Sequence, residues 1–380
     1  MGSGKALEFL RRDPLERVSA ARWRTGLLAA GFLAVLAIRL ALLLTVRANY
    51  DTESYDIVTE IARRGGDFYG ETDRYNYSPL WSRVLLGTAF AADLTGLRHT
   101  TVLGLLLLVG DAATAVLVFR LAKRRRAGTA AGIAALSFFA NPVSVLVSSA
   151  HLQFDGLAIL FLVGAVVLSE KRRDFSAAAS LSLSLLVKHV TALHPPLFRR
   201  RPGVRGWIPV VAPYVVFLAS LAPYAASWRE IRDRVLLYRG LTYQYGIEAL
   251  LLLGVPEWVP IALFVAAVVV ALVFLRQVEL VRASLLLFLV ILVFAPGFGR
   301  QYCVWPIALG AVAGGLGYAV YSVVAGAFLL REIFRPTSFA WALPGWYGPW
   351  WAAILWLLWE LRRGRAKAET ANAVKISGDP

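Results

Sequence analysis

Several stretches of about 20 nearly uninterrupted apolar residues, the length at which a helix crosses a hydrocarbon core, constrain this chain more than any other feature. Thr25 to Val46, Thr101 to Leu121, Trp207 to Ala226 and Trp258 to Leu275 each carry two charges at most. Backbone groups in lipid must be satisfied within the spanning structure, which leaves only helices or a closed barrel. Unbroken apolar runs lack the period-two alternation of barrel strands. The expected fold class is therefore all-α, a polytopic transmembrane helical bundle of about 11 to 12 membrane helices. At 58% hydrophobic and 17% charged residues, water is not the main solvent of such a chain.

The formal net charge of +16 invites a nucleic-acid reading, but Lys and Arg fall mostly in short clusters between apolar runs, the pattern of cytoplasmic loops. No nucleic-acid partner is expected. Cys303 is the one cysteine, so no intrachain disulfide is available. Basic residues before Thr25 and after Glu360 place both termini in the cytoplasm. This gives a cytoplasmic segment 1–24, one transmembrane domain 25–365 whose loop 47–100 faces outward, and a cytoplasmic tail 366–380. Thr25 to Val46 is read as a retained first span, and Pro79 to Leu97 as an interfacial helix in the outward loop.

Some charges do not fit that scheme. Phe175 to Phe198 has basic clusters on both flanks and Lys188 and His189 in its middle, which predicts an interrupted helix with its apex inside the protein. A charge there is functional by default. Arg229, Arg232, Arg234 and Arg239 fall on the outward side against the usual trend. Asp111, within a span, is expected to hydrogen-bond to a neighbouring helix.

Two outward segments concentrate polar groups. The first runs Asn49, Tyr50, Asp51, Thr52, Glu53 and Tyr55, then Gly66-Asp67-Phe68-Tyr69 and Tyr75-Asn76-Tyr77-Ser78-Pro79-Leu80-Trp81. The second is His151-Leu152-Gln153-Phe154-Asp155. A carboxylate beside a hydroxyl can act as general base, and rings with polar tips suit sugars. Asp51 and Glu53 are the catalytic candidates. Lys188, His189, Arg300 and Arg234 are the basic candidates, and the resemblance that follows implies a donor phosphate for them, to which Arg suits bidentate contact.

These motifs resemble those of the GT-C superfamily of polytopic glycosyltransferases. Asp51 with Tyr55 and the Tyr75 to Trp81 stretch is similar to its first-loop signature. His151 to Asp155 resembles a His-Gly-Gln-Phe-Asp motif, with Leu152 in place of glycine. Lys188 followed by Pro195 resembles a Lys-to-Pro segment. Arg300-Gln301-Tyr302-Cys303-Val304-Trp305 is similar to a stretch of the first GPI mannosyltransferases, where Asp51-Thr52-Glu53 replaces an Asp-x-Asp. The resemblance covers residues 25 to 310 or so. It implies inverting transfer of a hexose, foremost mannose, from a polyprenyl-phosphate donor to a glycolipid or glycan acceptor on the extracytoplasmic face. Asp51 would then be the base, and Tyr55, Tyr77, His151, Gln153, Asp155, Gln301 and Tyr302 would hold acceptor and sugar. A monophosphate leaving group leads us to expect no cofactor and no metal, although Asp51 with Glu53 is a chemically reasonable cation pair. Membrane lipids are the other expected partners, and no oligomeric state is implied. The alternatives are a transporter or lipid-linked-sugar flippase, which also uses broken helices, and a non-catalytic scaffold.

Overall fold

The structure, a computed structural model, describes residues 14–45, 48–238, 246–334 and 347–364. Most of segment 1–24, Arg239 and the tail 366–380 lie outside the described residues. Every regular element among the described residues is helical. The first, α1 (Pro14–Leu44), leads into the loop helices α2 (Tyr50–Arg63) and α3 (Pro79–Thr95). Next come α4 (His99–Lys123), α5 (Gly128–Phe139), which runs on irregularly to Ala150, α6 (Asp155–Glu170) and α7 (Asp174–Val187). After these follow α8 (Gly203–Leu221), α9 (Trp258–Leu275), α10 (Leu280–Phe294), α11 (Ile307–Ala313), α12 (Leu316–Phe334) and α13 (347–364).

Among the described residues, six helices are long and apolar enough to cross a membrane: Trp23–Leu44, His99–Lys123, Gly128–Ala150, Gly203–Leu236, Trp258–Leu275 and Leu316–Phe334. The apolar runs at α6, α7, α10 and α11 form shorter helices, buried on many sides by the longer ones.

The basic clusters collect at one end of the bundle. Arg125 bridges Glu170 and Glu279, Arg126 donates to the Ala313 carbonyl at 2.7 Å, and Arg201 meets Asp174 at 2.7 Å. The loop helices α2 and α3 occupy the other end, where Ser227 reaches Asp67 at 2.6 Å. Successive helices therefore run alternately between a basic end and a loop end.

The interrupted segment follows from the same contacts. With 14 residues, α7 rises about 21 Å from Asp174. Two short 3-10 stretches, His189–Leu193 and Pro195–Phe198, then bring the chain back at roughly 2 Å per residue to Arg201 beside Asp174. A helix paired with 3-10 turns, rather than two α-helices, forms this hairpin, because Pro195 and Pro196 lack N–H groups. Lys188, extended at φ −155° and ψ 126°, sits at its turning point.

Asp111 has a partner the sequence did not suggest. Arg39 of α1, fully buried, donates to Asp111 Oδ2 at 2.6 Å, to Ser144 Oγ at 2.7 Å and to the Phe139 carbonyl at 2.8 Å. Each charge is compensated, so the cluster ties α1, α4 and α5 together at a position where an unpaired ion would be costly.

Candidate active site

The loop end is built by local capping and aromatic packing. Asn49 caps α2: its side chain accepts from the N–H groups of Asp51 and Thr52 at 3.0 and 3.1 Å, and the Thr52 hydroxyl accepts from Asn49 N–H at 2.9 Å. Asp51 thus lies in the first turn, where the helix dipole favours a carboxylate. Two helical residues differ by about 200° in direction, so Glu53 faces away. It is exposed and stands 3.9 Å from Arg74.

Under α2, Tyr55, Trp81 and Phe154 form a dry wall, with Trp81 and Phe154 stacked at 3.6 Å between centroids. Tyr69 donates its hydroxyl proton to the Tyr77 carbonyl at 2.6 Å, and Ser78 donates to the Leu186 carbonyl, which ties the loop to the end of α7.

The second motif enters this wall from α5. Leu152 sits at φ 57°, a left-handed conformation that costs a branched residue about 1 kcal/mol. Its fully buried side chain packs into the apolar cluster that includes Leu103 and Leu107, close to Gly104, which offsets that strain. The tight turn presents His151 on one side and starts α6 at Asp155 on the other. His151 Nε2 lies 3.4 Å from Asp51 Oδ2. Burial lowers the imidazole below its ordinary range, Asp51 opposes that shift, and Arg300 and Lys188 add to it. His151 is therefore neutral near pH 7.

Asp155 is fully buried and uses both oxygens: Lys188 Nζ donates to Oδ2 at 2.6 Å and the Trp305 indole N–H donates to Oδ1 at 2.7 Å. The ammonium of Lys188 also lies 5.0 to 5.9 Å from the ring centroids of Tyr77, Phe154 and Tyr302. Lys188, His189, Tyr77, Tyr302 and Gln301 line a cavity of about 210 Å³, with Val190, Leu193, Phe264 and Ile291 as an apolar side. Its volume is below the roughly 300 to 1,000 Å³ of sites for drug-sized ligands, which suits one small polar group. Arg300 has no hydrogen-bond or ion-pair partner among the described residues, and its charge acts on His151. Burial foremost, then Tyr55 and Asp51, push the Tyr77 hydroxyl up, with Asp155 acting in the same direction. Asp51 and the Lys188–Asp155 pair therefore share one neighbourhood.

Among the expected site residues, Asp51, His151, Lys188, His189, Arg300, Tyr77, Gln301 and Tyr302 come together. The structure moves others out. Glu53 points to solvent and cannot chelate a cation jointly with Asp51. Arg234 donates to the carbonyls of Tyr69 and Thr72 at 3.1 and 2.6 Å, so it clamps the loop rather than facing the cavity. Tyr55 belongs to the aromatic wall, and Asp155 is fully buried with a protein donor on each oxygen, out of reach of a sugar. Gln153 is fully buried away from the cavity, and its amide has no hydrogen-bond partner among the described residues. Sequence reasoning missed Trp305 as the second donor to Asp155, and Asn76 and Tyr238 in the cavity lining. Only the position of Trp305 at the end of an already selected stretch marked it. No family model, curated protein or solved structure matches this chain.

Proposed function

We propose that the chain is an inverting glycosyltransferase of GT-C type that moves a hexose, foremost mannose, from a polyprenyl phosphate to a glycolipid or glycan acceptor. One observation supports this above the rest: a partly exposed carboxylate with a neutral histidine, and cationic groups beside an apolar-sided cavity, converge at the loop end. In this reading Asp51 takes the proton of an acceptor hydroxyl. The acceptor oxygen bonds to the anomeric carbon as its bond to the phosphate oxygen breaks, which inverts that carbon and releases polyprenyl monophosphate. Arg300 and the remaining N–H groups of Lys188 stabilise the departing phosphate. His151 orients the Asp51 carboxylate. The chain would act at the extracytoplasmic face, as a multi-pass protein with both termini in the cytoplasm.

Purified protein mixed with synthetic polyprenyl-phosphate hexoses tests the proposal. Asp51→Asn should lower transfer by about 10²- to 10⁴-fold with donor affinity nearly unchanged, because the base is removed but the phosphate contacts remain. Movement of lipid-linked sugar across vesicles without any transfer would support the flippase reading instead. Full turnover by the Asn variant would end the assignment of Asp51.

A further inference from the structure

At the opposite, basic end a cleft of about 490 Å³ opens between the 3-10 turn Pro195–Phe198, the start of α8 and the α9–α10 turn. Arg199, Arg200, Arg201 and Arg276 line it together with Trp207 and Val210, and no acidic residue does. Arg201 is neutralised by Asp174 at 2.7 Å. The other arginines are not paired with a carboxylate among the described residues. Arg200 is held in place by donating to the carbonyls of Leu197, Arg276 and Val278 at 2.7, 2.9 and 2.8 Å. Arg199 lies over the Trp207 ring at 4.2 Å, and the Arg276 side chain has no partner among the described residues. Ordinary topology signals need positive charge near a span, but they do not need arginines converging on a concave site.

The surroundings indicate what the cleft binds. Exposed Val204, Trp207, Val211, Val215 and Leu218 repeat at three and four residues along α8, so they form one apolar stripe that starts at the cleft. The stripe extends about 21 Å, beyond half of the roughly 30 Å hydrocarbon core. Val265, Val269 and Val273 form a second exposed stripe on α9 and also lead to Arg276. Cations at the membrane boundary with two apolar tracks above them match a phosphate carrying two acyl chains. We infer that this cleft is a binding site for an anionic phospholipid, with the phosphate held by Arg199, Arg200 and Arg276 and the acyl chains laid along α8 and α9. The site is independent of the catalytic reading and lies at the other end of the bundle.

Full-length protein in a non-ionic detergent tests this with three probes: short-chain phosphatidylglycerol, the matching phosphatidylcholine and inorganic phosphate. Phosphatidylglycerol should raise the thermal unfolding midpoint saturably, whereas the other two should not at equal concentration. Arg199→Gln with Arg276→Gln should weaken the apparent affinity at least about tenfold, from the loss of charge-assisted contacts. Arg229→Gln at the loop end should leave it unchanged. Should the double variant fail to fold, Arg276→Gln alone, an exposed position, should still weaken binding about tenfold. An equal rise with phosphatidylcholine, or undiminished affinity in these variants, would overturn the inference. A full rise with inorganic phosphate would overturn its lipid part and leave a simple anion site.

Discussion

Removing the Lys188 ammonium should cost this protein more stability than removing both charges of its pair. Asp155 is fully buried, and its oxygens accept one hydrogen bond from Lys188 at 2.6 Å and one from Trp305 at 2.7 Å. In Lys188→Met only the indole donor remains. A hydrogen bond to a charged group contributes about 1.5 to 3 kcal/mol, less than the several kcal/mol needed to desolvate a carboxylate. The single variant should therefore lose about 3 to 5 kcal/mol. Asp155→Asn combined with Lys188→Met replaces the pair by neutral groups of similar size and should recover much of that loss, to within about 1 to 2 kcal/mol of the parent. Denaturant unfolding of detergent-solubilised protein, followed by circular dichroism for parent, single and double variants, gives the coupling directly. Losses that simply add in the double variant would refute the argument, since they would mean that neither charge depends on the other.

Other perturbations reach different parts of the site. Leu152→Gly relieves about 1 kcal/mol of left-handed strain but empties a buried leucine site worth about 2 to 5 kcal/mol. It should therefore be net destabilised, and a more stable Gly variant in the same unfolding assay would contradict the packing described. Arg234→Ala removes the donor to the Tyr69 and Thr72 carbonyls, so limited proteolysis should cut the loop between α2 and α3 faster while donor affinity stays as in the parent. His151 has a lowered folded pKa, so the unfolded chain binds its proton first as pH falls. Its contribution to stability is present above about pH 6.5, the unfolded value, and is lost below it as pH falls towards the folded value. A pH series of unfolding midpoints for His151→Gln should show a shallower decline below that point than the parent.

The all-helical class and the long apolar helices were legible, because an unbroken apolar run of membrane length, without the alternation of a barrel strand, satisfies its backbone in lipid as a helix, whereas six helices rather than 11 to 12 reach that length among the described residues. The hairpin around Lys188 was legible for a related reason, because basic flanks on both sides left only an interrupted return. Side-chain direction was not legible. Asp51 and Glu53 look equivalent in a linear motif, and only the capping of α2 by Asn49, which makes the stretch helical from Tyr50, sends them to opposite faces. The tyrosines of the first loop read as a polar surface, yet Tyr55, Tyr69 and Tyr75 are buried, because the hydroxyls of Tyr69 and Tyr75 donate to backbone carbonyls within the loop and that of Tyr55 donates to the Leu152 carbonyl of the second motif. Arg39 was passed over because one charge in a long apolar run carries no sign of its partner, which lies 72 residues away.

The pairing of Lys188 with Asp155 also decides which cation is left for a phosphate. A lysine with a carboxylate 2.6 Å away is half of a neutral unit, so it attracts an incoming anion weakly even though it lines the cavity. Its N–H groups can position an oxygen, but they do not supply net charge. Arg300 does, since no carboxylate compensates it among the described residues and its field already acts on His151. Under the proposed reaction, attraction of the donor phosphate would therefore fall mainly to Arg300, and orientation to Lys188. Asp155 would serve both in that reading, because it fixes Lys188 beside Tyr77 and Tyr302 and leaves no second uncompensated cation to compete for the Asp51 carboxylate.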